Sequence, residues 1–423
     1  MLVEFRVKNF RSFRDEAIIS LVASKDTHCQ STHVVNVPIR GIPGLLRNAA
    51  IYGANASGKS NLIRGIQLMR LMVGESAALQ PEQKLNLQPF ALDPISQASP
   101  VELEVTFLKD GIRYQYGFSA TADRVFEEWL VVYRSSKPQT WFRREYLKSE
   151  DRENYKFGAN LQGQRHVWQQ STRPNALFLS VAVQLNSAQL KPVFDWISAL
   201  VVIENGGAPL IDHTVQYMLK NPGHQLSRFL RAADMAIEDI DLEKRTIFGT
   251  TIKLDLALGR VEHEGSGPQE VSVPLFRHEA TAGSATFELQ DESEGTQRLF
   301  AFAGPLFEIL RNGRVMFVDE LDRSLHTLLV RRLVQMFHDP AINTGGAQLV
   351  FTTHDTSLLS ADIFRRDQIW FTEKDKDQAS QVFSLNDFSA RKNEAFERGY
   401  LTGRYGGIPL LDSFEVAGSA EKH

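Results

Sequence analysis

The sequence is poor in cysteine, in long apolar runs and in net charge, and each shortage excludes a class of protein. Cys29 is the only cysteine among 423 residues, so an internal disulfide and a multi-cysteine metal site are excluded. The longest apolar runs, such as ALFLSVAV at 176–183, are far shorter than the ~20 residues that a membrane span requires. The formal net charge of -4 excludes a polycation that coats nucleic acid, although it is compatible with a local basic groove.

The remaining composition is that of an ordinary globular protein. Hydrophobic residues make up 43% and charged residues 23% of the chain, close to the averages for soluble domains. A length of 423 residues suffices for two or three domains or for one large elaborated domain. The start, MLVEFRVKNFRSF, contains Glu4 and no long apolar run, so it does not resemble a signal peptide. We therefore expect a soluble, cytoplasmic protein with no membrane segment.

Residues 53–60, GANASGKS, fit the phosphate-binding pattern G-x-x-x-x-G-K followed by Ser or Thr. A short apolar segment, RNAAIYG, precedes them and a helical pattern, NLIRGIQLMRLMV, follows. Glycines allow backbone N–H groups to surround phosphate oxygens, and the helix N-terminus adds a favourable dipole. We predict that Lys59 reaches the β- and γ-phosphates of ATP and that Ser60 binds Mg²⁺. The predicted nucleotide contacts are Gly53, Ala54, Asn55, Ala56, Ser57, Gly58, Lys59, Ser60 and Asn61.

Two further apolar strands are predicted to end in residues that could bind a metal, act as a general base or contact a phosphate. RVMFVDELD, at 314–322, would carry Asp319 and Glu320 at the carboxyl end of a buried strand, where α/β sheets bind their ligands. Asp319 suits the metal, directly or through water, and Glu320 is predicted to be the general base that polarises the attacking water. AQLVFTTH ends in His354, which we expect to hydrogen-bond the γ-phosphate and to respond to its loss.

The middle of the chain is less regular and allows two interpretations. Residues 101–118 alternate apolar and polar side chains around a KDG turn, which predicts a β-hairpin. Residues 134–173 contain nine Lys or Arg and four acidic residues, with six Trp, Tyr or Phe interleaved. They are either a solvated, partly ordered insertion or a contact for nucleic acid or a partner, because cations and aromatics suit phosphates and bases. Residues 185–245 look mainly helical, and 251–289 look like strands.

The stretch ESEGTQRL, at 292–299, also has two interpretations. Ser293 can cap the helix that follows it. Alternatively, Ser293, Gly295 and Gln297 belong to a surface that works only against a second copy of the protein. These eight residues alone do not distinguish a helix cap from a surface that contacts a second copy. Their position among the other motifs has to distinguish the two interpretations.

Taken in chain order, GANASGKS, SEGTQ, VMFVDELD and TTH resemble the motifs of ABC-type ATPases, specifically of the RecF/SMC-like branch. Thr296 occupies the position of the second glycine in the usual signature of that family. The resemblance implies an α/β fold, namely an ABC-type P-loop ATPase head with an antiparallel β subdomain and an inserted, mainly helical region. We expect the N-terminal half of the head at 1–135, the inserted region at 136–250 and the C-terminal half at 251–423.

The resemblance also implies roles for individual residues. Ser293 and Gly295 would contact the γ-phosphate held by the Lys59 loop of the other protomer, and Gln297 of the same signature is a further candidate nucleotide contact. Asp322 matches the D-loop that faces the dimer seam. The remaining two candidates are Arg11, expected near the nucleotide's phosphates, and Gln88, expected to link the metal to conformational change.

Three further motifs narrow the resemblance, namely FRVKNFRSFRDE at 5–16, DELDRSLH at 319–326 and GRYGGIP at 403–409. They resemble motifs of the stand-alone ATPases of prokaryotic anti-phage systems, of the RloA or AbiL abortive-infection type, with the OLD family as a relative. The resemblance implies an ATP-dependent homodimer, alone or within a higher oligomer, that controls a separately encoded nuclease or toxin. The alternative is a RecF-like DNA-repair or maintenance ATPase that binds DNA directly. An inactive nucleotide-binding scaffold is disfavoured because Lys59, Asp319 and Glu320 are all present.

Overall fold

The structure is a computed structural model that describes residues 1–39, 41–204, 208–233, 235–255, 260–388 and 395–409. Its strands are β1 (Leu2–Lys8), β2 (Ala17–Ser20), β3 (Val34–Val35), β4 (Leu45–Leu46), β5 (Asn48–Gly53), β6 (Val101–Lys109), β7 (Ile112–Ala120), β8 (Val125–Tyr133), β9 (Gln139–Leu147), β10 (Arg152–Phe157), β11 (Val201–Ile203), β12 (Asp239–Asp255), β13 (Arg260–Ala280), β14 (Gly283–Glu288), β15 (Val315–Val318), β16 (Gln348–Thr352), β17 (Ile369–Lys374) and β18 (Ser380–Ser384). Its α-helices are α1 (Gln30–His33), α2 (Lys59–Glu75), α3 (Pro94–Gln97), α4 (Arg165–Ser171), α5 (Phe178–Gln184), α6 (Lys191–Ser198), α7 (Ala208–Lys220), α8 (Gln225–Ala232), α9 (Glu294–Asn312), α10 (Thr327–His338) and α11 (Phe396–Leu401).

A six-stranded sheet, in the order β11-β15-β16-β5-β17-β18, contains the strands that carry the predicted motifs. The first five strands are parallel, and β18 pairs antiparallel to β17. Strands β5, β15 and β16 are buried along their whole length, as expected for parallel strands covered on both faces. The carboxyl ends of the parallel strands lie at one edge of this sheet, and β16 lies between β5 and β15.

A seven-stranded antiparallel sheet, in the order β10-β9-β8-β7-β6-β1-β2, forms the predicted antiparallel β subdomain. Strands β6 and β7 are the hairpin predicted at 101–118. The apolar face of α2, which includes Leu62, Ile66 and Met69, belongs to the same hydrophobic cluster as Val105 and Phe107 of β6. Burying each such side chain contributes about 1.5–3 kcal/mol. The mixed α/β class is therefore confirmed.

The basic and aromatic stretch at 134–173 is ordered rather than a solvated insertion. Its first half forms β9 and β10, which extend the antiparallel sheet beyond β8. Trp141, Phe142 and Trp168 are buried in the core, so these rings are not available to stack on nucleotide bases. Within the region predicted at 136–250, two strands of this sheet thus precede the helices α4 to α8.

One basic residue of that stretch, Arg144, is fully buried in a polar network. Its guanidinium donates to the Glu153 carboxylate at 2.9 Å and to the Ala176 carbonyl at 2.6 Å. Nearby, the buried Glu128 carboxylate accepts the backbone N–H groups of Phe178 and Leu179, where α5 begins. A buried charge is tolerated only when it is paired and hydrogen-bonded, and this network attaches the 173–179 connection to the antiparallel sheet.

The described chain divides into two compact units. The first comprises Met1–Glu204, Asn312–Leu321 and Arg331–His423, and the second comprises Asn205–Arg311 and Asp322–Val330. The second unit contains the antiparallel sheet β12-β13-β14 and the helices α7, α8 and α9. Among the described residues, no helix is both long and apolar enough to cross a membrane.

Helix α9 contains Pro305 in its interior. Proline has no N–H, so the carbonyl of Ala301, four residues earlier, lacks its helical donor. The hydroxyl of Thr214 on α7 donates to that carbonyl at 3.0 Å and accepts the Gly304 N–H at 3.1 Å. A Cβ on Gly304 would lie 2.6 Å from the Thr214 Cα. The Gly304-Pro305 pair therefore allows close packing of α7 on α9.

Two buried histidines stack on each other in the first unit. The rings of His33 and His338 lie 3.5 Å apart between centroids, and the Asn48 amide lies 2.6 Å from His338 Nε2. Burial lowers the pKa of His33 and lowers that of His338 well below its usual value. Both rings are therefore neutral in the folded protein at neutral pH.

We expect acid to destabilise the fold through this pair. Below pH ~6.5 the histidines of the unfolded chain take up protons that the folded chain excludes, so stability is present above that pH and falls as the pH decreases. Each histidine contributes a slope of up to about 1.4 kcal/mol per pH unit. Denaturant unfolding between pH 7.5 and 5.5 should show a smaller slope for His338→Gln than for the parent. His166→Gln, at an exposed position, should retain the parental slope, and an unchanged slope in His338→Gln would contradict this account.

Candidate nucleotide-binding site

The GANASGKS motif forms a tight loop between β5 and α2, as predicted. Strand β5 ends at Gly53, and α2 begins at Lys59. Gly53 has φ +154°, and a Cβ there would lie 2.5 Å from the Thr372 carbonyl oxygen. Gly58 has φ +114°, and a Cβ there would collide with the Ser380 hydroxyl. Both positions therefore require glycine, and the loop has the strand–loop–helix setting of a phosphate-binding loop.

Neighbouring strands hold this loop in place. The Ser57 hydroxyl lies 2.6 Å from the Thr372 hydroxyl of β17. The Ser380 hydroxyl of β18 donates to the Ser57 carbonyl at 2.7 Å, and the Asn61 amide donates to the Ser12 hydroxyl at 2.8 Å. These bonds reduce the freedom of the loop, so its backbone is preorganised for a ligand.

Lys59 places its ammonium inside the loop. The side chain is only 5% exposed, and Nζ donates to the carbonyls of Gly53 at 2.7 Å and Ala54 at 3.0 Å. Helix α2 has neither a side-chain cap nor an acidic residue in its first turn. Its N-terminus therefore presents positive charge from Lys59 and from the helix dipole, which fits a polyphosphate.

Ser60 and Asp319 meet at the edge of the sheet. The Ser60 hydroxyl donates to Asp319 Oδ1 at 3.1 Å, and the carboxylate is only 3% exposed. A hydroxyl and a carboxylate are hard oxygen ligands of the kind that Mg²⁺ takes together with water and phosphate oxygens. The residues therefore fit a magnesium nucleotide, with Ser60 and Asp319 as the protein groups that would hold the metal.

Sequence reasoning missed Thr352, the last residue of β16. Its hydroxyl donates to Asp319 Oδ1 at 2.7 Å and accepts the Glu320 N–H at 2.7 Å. Thr352 precedes His354 in the TTH motif, but its partners could be identified only once β16 was known to pair with β15. A buried side chain thus orients both predicted acidic residues.

Glu320 has a left-handed backbone, with φ +52°. This conformation costs a non-glycine residue about 1–2 kcal/mol and persists where the surroundings determine it. Here the Thr352 hydroxyl accepts the Glu320 N–H, and the Thr352 carbonyl accepts the Leu321 N–H at 3.0 Å. These two bonds hold the backbone of Glu320 in this conformation at the edge of the sheet.

The remaining candidates of the first unit have different surroundings. His354 follows β16 by two residues and is exposed. The Arg11 N–H donates to the Gln88 carbonyl at 2.8 Å, so the backbones of these two predicted site residues are in contact. Arg11 lines a cavity of about 620 Å³ together with Arg64. Burial and the nearby Arg64 charge lower the pKa of Arg11, while the Gln88 side chain is exposed and its metal role stays a prediction.

The signature residues belong to the second unit. The Ser293 hydroxyl accepts the Thr296 N–H at 3.1 Å, so Ser293 caps α9 and is itself exposed. The Gln297 amide donates to the Glu292 carbonyl at 2.8 Å. A Cβ on Gly295 would lie 2.9 Å from the Ser324 carbonyl oxygen. Gly295 therefore packs against the turn that follows Asp322, and the capping interpretation is compatible with a further role in trans.

A glycine loop around a buried lysine, on a parallel sheet that also carries a serine–aspartate pair, defines a P-loop nucleotide-binding protein of the α/β class. A comparison with protein families matches residues 49–360 to the family described as "AAA domain, putative AbiEii toxin, Type IV TA system". The match covers most of the 423 residues, and the chain belongs to this family. The narrower assignment to the RloA or AbiL type and to OLD relatives stays a prediction.

Two solved structures are similar to the chain. The SMC head domain from Thermotoga maritima is 14% identical, with 90% of this chain and 98% of that chain covered and a TM-score of 0.39. An SmcHead bound to the C-winged helix domain of ScpA is also 14% identical, with 90% and 97% covered and a TM-score of 0.40. No curated protein matches the chain.

The contacts of Thr352 predict a catalytic defect in Thr352→Val. The substitution removes the donor to Asp319 and the acceptor for the Glu320 N–H, so we expect ATP turnover to fall about ten- to a hundredfold. Thr353→Val is the matched control, because Thr353 is equally buried and its hydroxyl accepts the Asp355 N–H at 3.0 Å. Steady-state ATPase assays and thermal unfolding should separate the two variants. Equal losses of ATP turnover in the two variants would show that Thr352 contributes no more to turnover than Thr353 does.

Proposed function

We propose that this protein is a Mg²⁺-dependent ATPase whose nucleotide state switches a pair of protomers between two arrangements. The observation that carries the proposal is the convergence of Lys59, Ser60 and Asp319, with Glu320 next to Asp319, at one edge of the parallel sheet. ATP hydrolysis requires a lysine and backbone N–H groups that bind the phosphates, a hydroxyl and a carboxylate that hold a metal, and an adjacent carboxylate that activates water.

The residues divide the chemistry among them. The glycine loop and Lys59 would bind the phosphates of ATP, and Ser60 and Asp319 would hold the metal. Magnesium bound there would supply positive charge that stabilises the reacting phosphates. Glu320 accepts a proton from the water that attacks the γ-phosphorus, the bond to the ADP oxygen breaks, and ADP and phosphate result. Thr352 keeps Asp319 and Glu320 oriented throughout.

The signature supports a composite site between two protomers. Ser293 is exposed, and its hydroxyl is oriented by capping α9, so it is available to a ligand outside its own helix. By the resemblance to ABC-type ATPases, that ligand is the γ-phosphate on the Lys59 loop of a second copy, and Asp322 lies at the seam. ATP then favours the associated pair and ADP the separated one, which is the differential affinity that a switch needs.

We propose that the switch controls a separately encoded nuclease or toxin in anti-phage defence. The motif resemblance supports this output, and the family description itself refers to a toxin system. The alternative, a RecF-like ATPase that clamps DNA, loses part of its support because the aromatic residues Trp141, Phe142 and Trp168 are buried. Salt-dependent DNA binding that ATP strengthens would favour that alternative.

Glu320→Gln should separate ATP binding from hydrolysis. The amide cannot accept the proton of the attacking water, so we expect turnover to fall at least about a hundredfold while ATP stays bound. Sedimentation with ATP should show a persistent pair for this variant and a transient one for the parent. Parental turnover in Glu320→Gln would exclude Glu320 as the base.

A mixing experiment tests the composite site. Lys59→Ala should remove phosphate binding, and Ser293→Arg should remove the contact in trans while leaving nucleotide binding by the monomer intact. Mixed in equal amounts, the two inactive proteins should regain about a quarter of parental turnover, because half of the random pairs are mixed and each holds one complete site. If the mixture stays inactive although Ser293→Arg binds ATP, Ser293 does not act on the second copy.

A further inference from the structure

The motif GRYGGIP lies in the 395–409 segment, which the proposed chemistry does not use. This segment contains α11 and the turn that follows it. The rings of Tyr400 and Tyr405 both stack on Phe371 of β17, with centroids 5.4 and 5.8 Å away. Strand β17 pairs with β5, so the segment packs beside the strand that leads into the phosphate loop.

Tyr400 connects this segment to the residues at the start of the loop. Its hydroxyl donates to the Gly407 carbonyl at 3.1 Å, and its ring centroid lies 5.9 Å from that of Tyr52, the residue before Gly53. Burial raises the pKa of Tyr400, so the hydroxyl is protonated at neutral pH and donates to Gly407.

Gly407 lies beside the first residue of the loop. A Cβ there would make an ordinary contact, 3.6 Å from the Gly53 Cα, and the requirement for glycine comes from its φ of +69°. Its N–H donates to the Glu373 carboxylate at 3.3 Å, which attaches the turn to β17. A left-handed conformation of this kind favours glycine, so the sequence of the motif matches the contact that it makes.

The segment also contacts the connection that follows His354. The Glu397 N–H donates to the Leu359 carbonyl at 3.1 Å, and the Thr356 hydroxyl donates to the Glu397 carboxylate at 3.0 Å. Residues Thr356–Leu358 form a 3-10 helix directly after the strand end that carries His354. One segment thus touches both the phosphate loop and the connection beside the predicted γ-phosphate contact.

We propose that the 395–409 segment sets the conformation of the phosphate loop, with Tyr400 as a positioning residue that acts through Gly407 and Tyr52, the two residues that it contacts beside Gly53. This inference rests on the proposed nucleotide site, and it adds that the 395–409 segment controls the affinity of that site for nucleotide. Without the hydroxyl, the Gly407 carbonyl loses its donor, the turn beside Gly53 is held less firmly, and the loop gains freedom that phosphate binding must remove. ADP and ATP should be affected alike, because both place their phosphates on this loop.

The test uses Tyr400→Phe in the full chain, with ADP as the probe. We expect the Kd for ADP to rise about three- to tenfold, with a similar rise in the KM for ATP and little change in kcat. Tyr133→Phe is the matched control, because the Tyr133 hydroxyl bonds Gln115 Oε1 at 3.0 Å in the antiparallel sheet. The control should leave the Kd for ADP unchanged, and thermal unfolding should be measured for both variants.

Gly407→Ala provides a second, independent change and decides the matter if Tyr400→Phe does not fold. The added methyl strains the left-handed turn at Gly407 and should also raise the Kd for ADP. A parental Kd in either folded variant, or an equal rise in Tyr133→Phe, would overturn the inference. A parent that binds ADP through Lys59 without hydrolysing ATP would refute the proposed ATPase and leave this inference standing.

Discussion

The carboxylate of Asp319 depends on the parallel pairing of three strands, and the proposed chemistry depends on that carboxylate. Val318 pairs with Phe351, and Thr352 pairs with Ile51, so the ends of β15, β16 and β5 share one edge of the sheet. From this register Thr352 reaches Asp319 on one side, and Ser60 reaches it from the start of α2. An almost fully buried carboxylate is stable only with such partners, and it is also where a metal would be held.

Rigidity around this edge comes from elements that carry no nucleotide chemistry of their own. Strands β17 and β18 contact the phosphate loop through the side chains of Thr372 and Ser380. The left-handed backbone of Glu320 is maintained by bonds to Thr352. These contacts fix the dipoles and carboxylates of the site. Such a site needs little reorganisation when charge develops during the reaction.

The stretch at 134–173 shows how far composition can mislead. Nine cations and interleaved aromatics suggested a surface, yet Trp141 and Arg144 lie in the core. Trp141, Phe142 and Trp168 belong to the hydrophobic core, and Glu153 balances the charge of Arg144. The alternation of apolar and polar residues that is typical of strands is hard to see along β9 and β10, because charged residues face inward as well as outward. Burial of paired charges depends on partners that are distant in the chain, so composition alone could not predict it.

The sequence by itself determined the phosphate loop, the acidic strand and the helix after the loop, because each depends on contiguous residues with narrow chemical requirements. Gly58 and Lys59 are such residues, as is Asp319 after its apolar run. Tertiary structure alone decided the roles of Thr352 and Tyr400. Thr352 is separated from Asp319 by 33 residues in the chain, and Tyr400 contacts both Tyr52 of β5 and Phe371 of β17 because those strands are paired. A hydrogen bond requires atoms within about 3 Å, and only the pairing of strands brings distant parts of the chain that close.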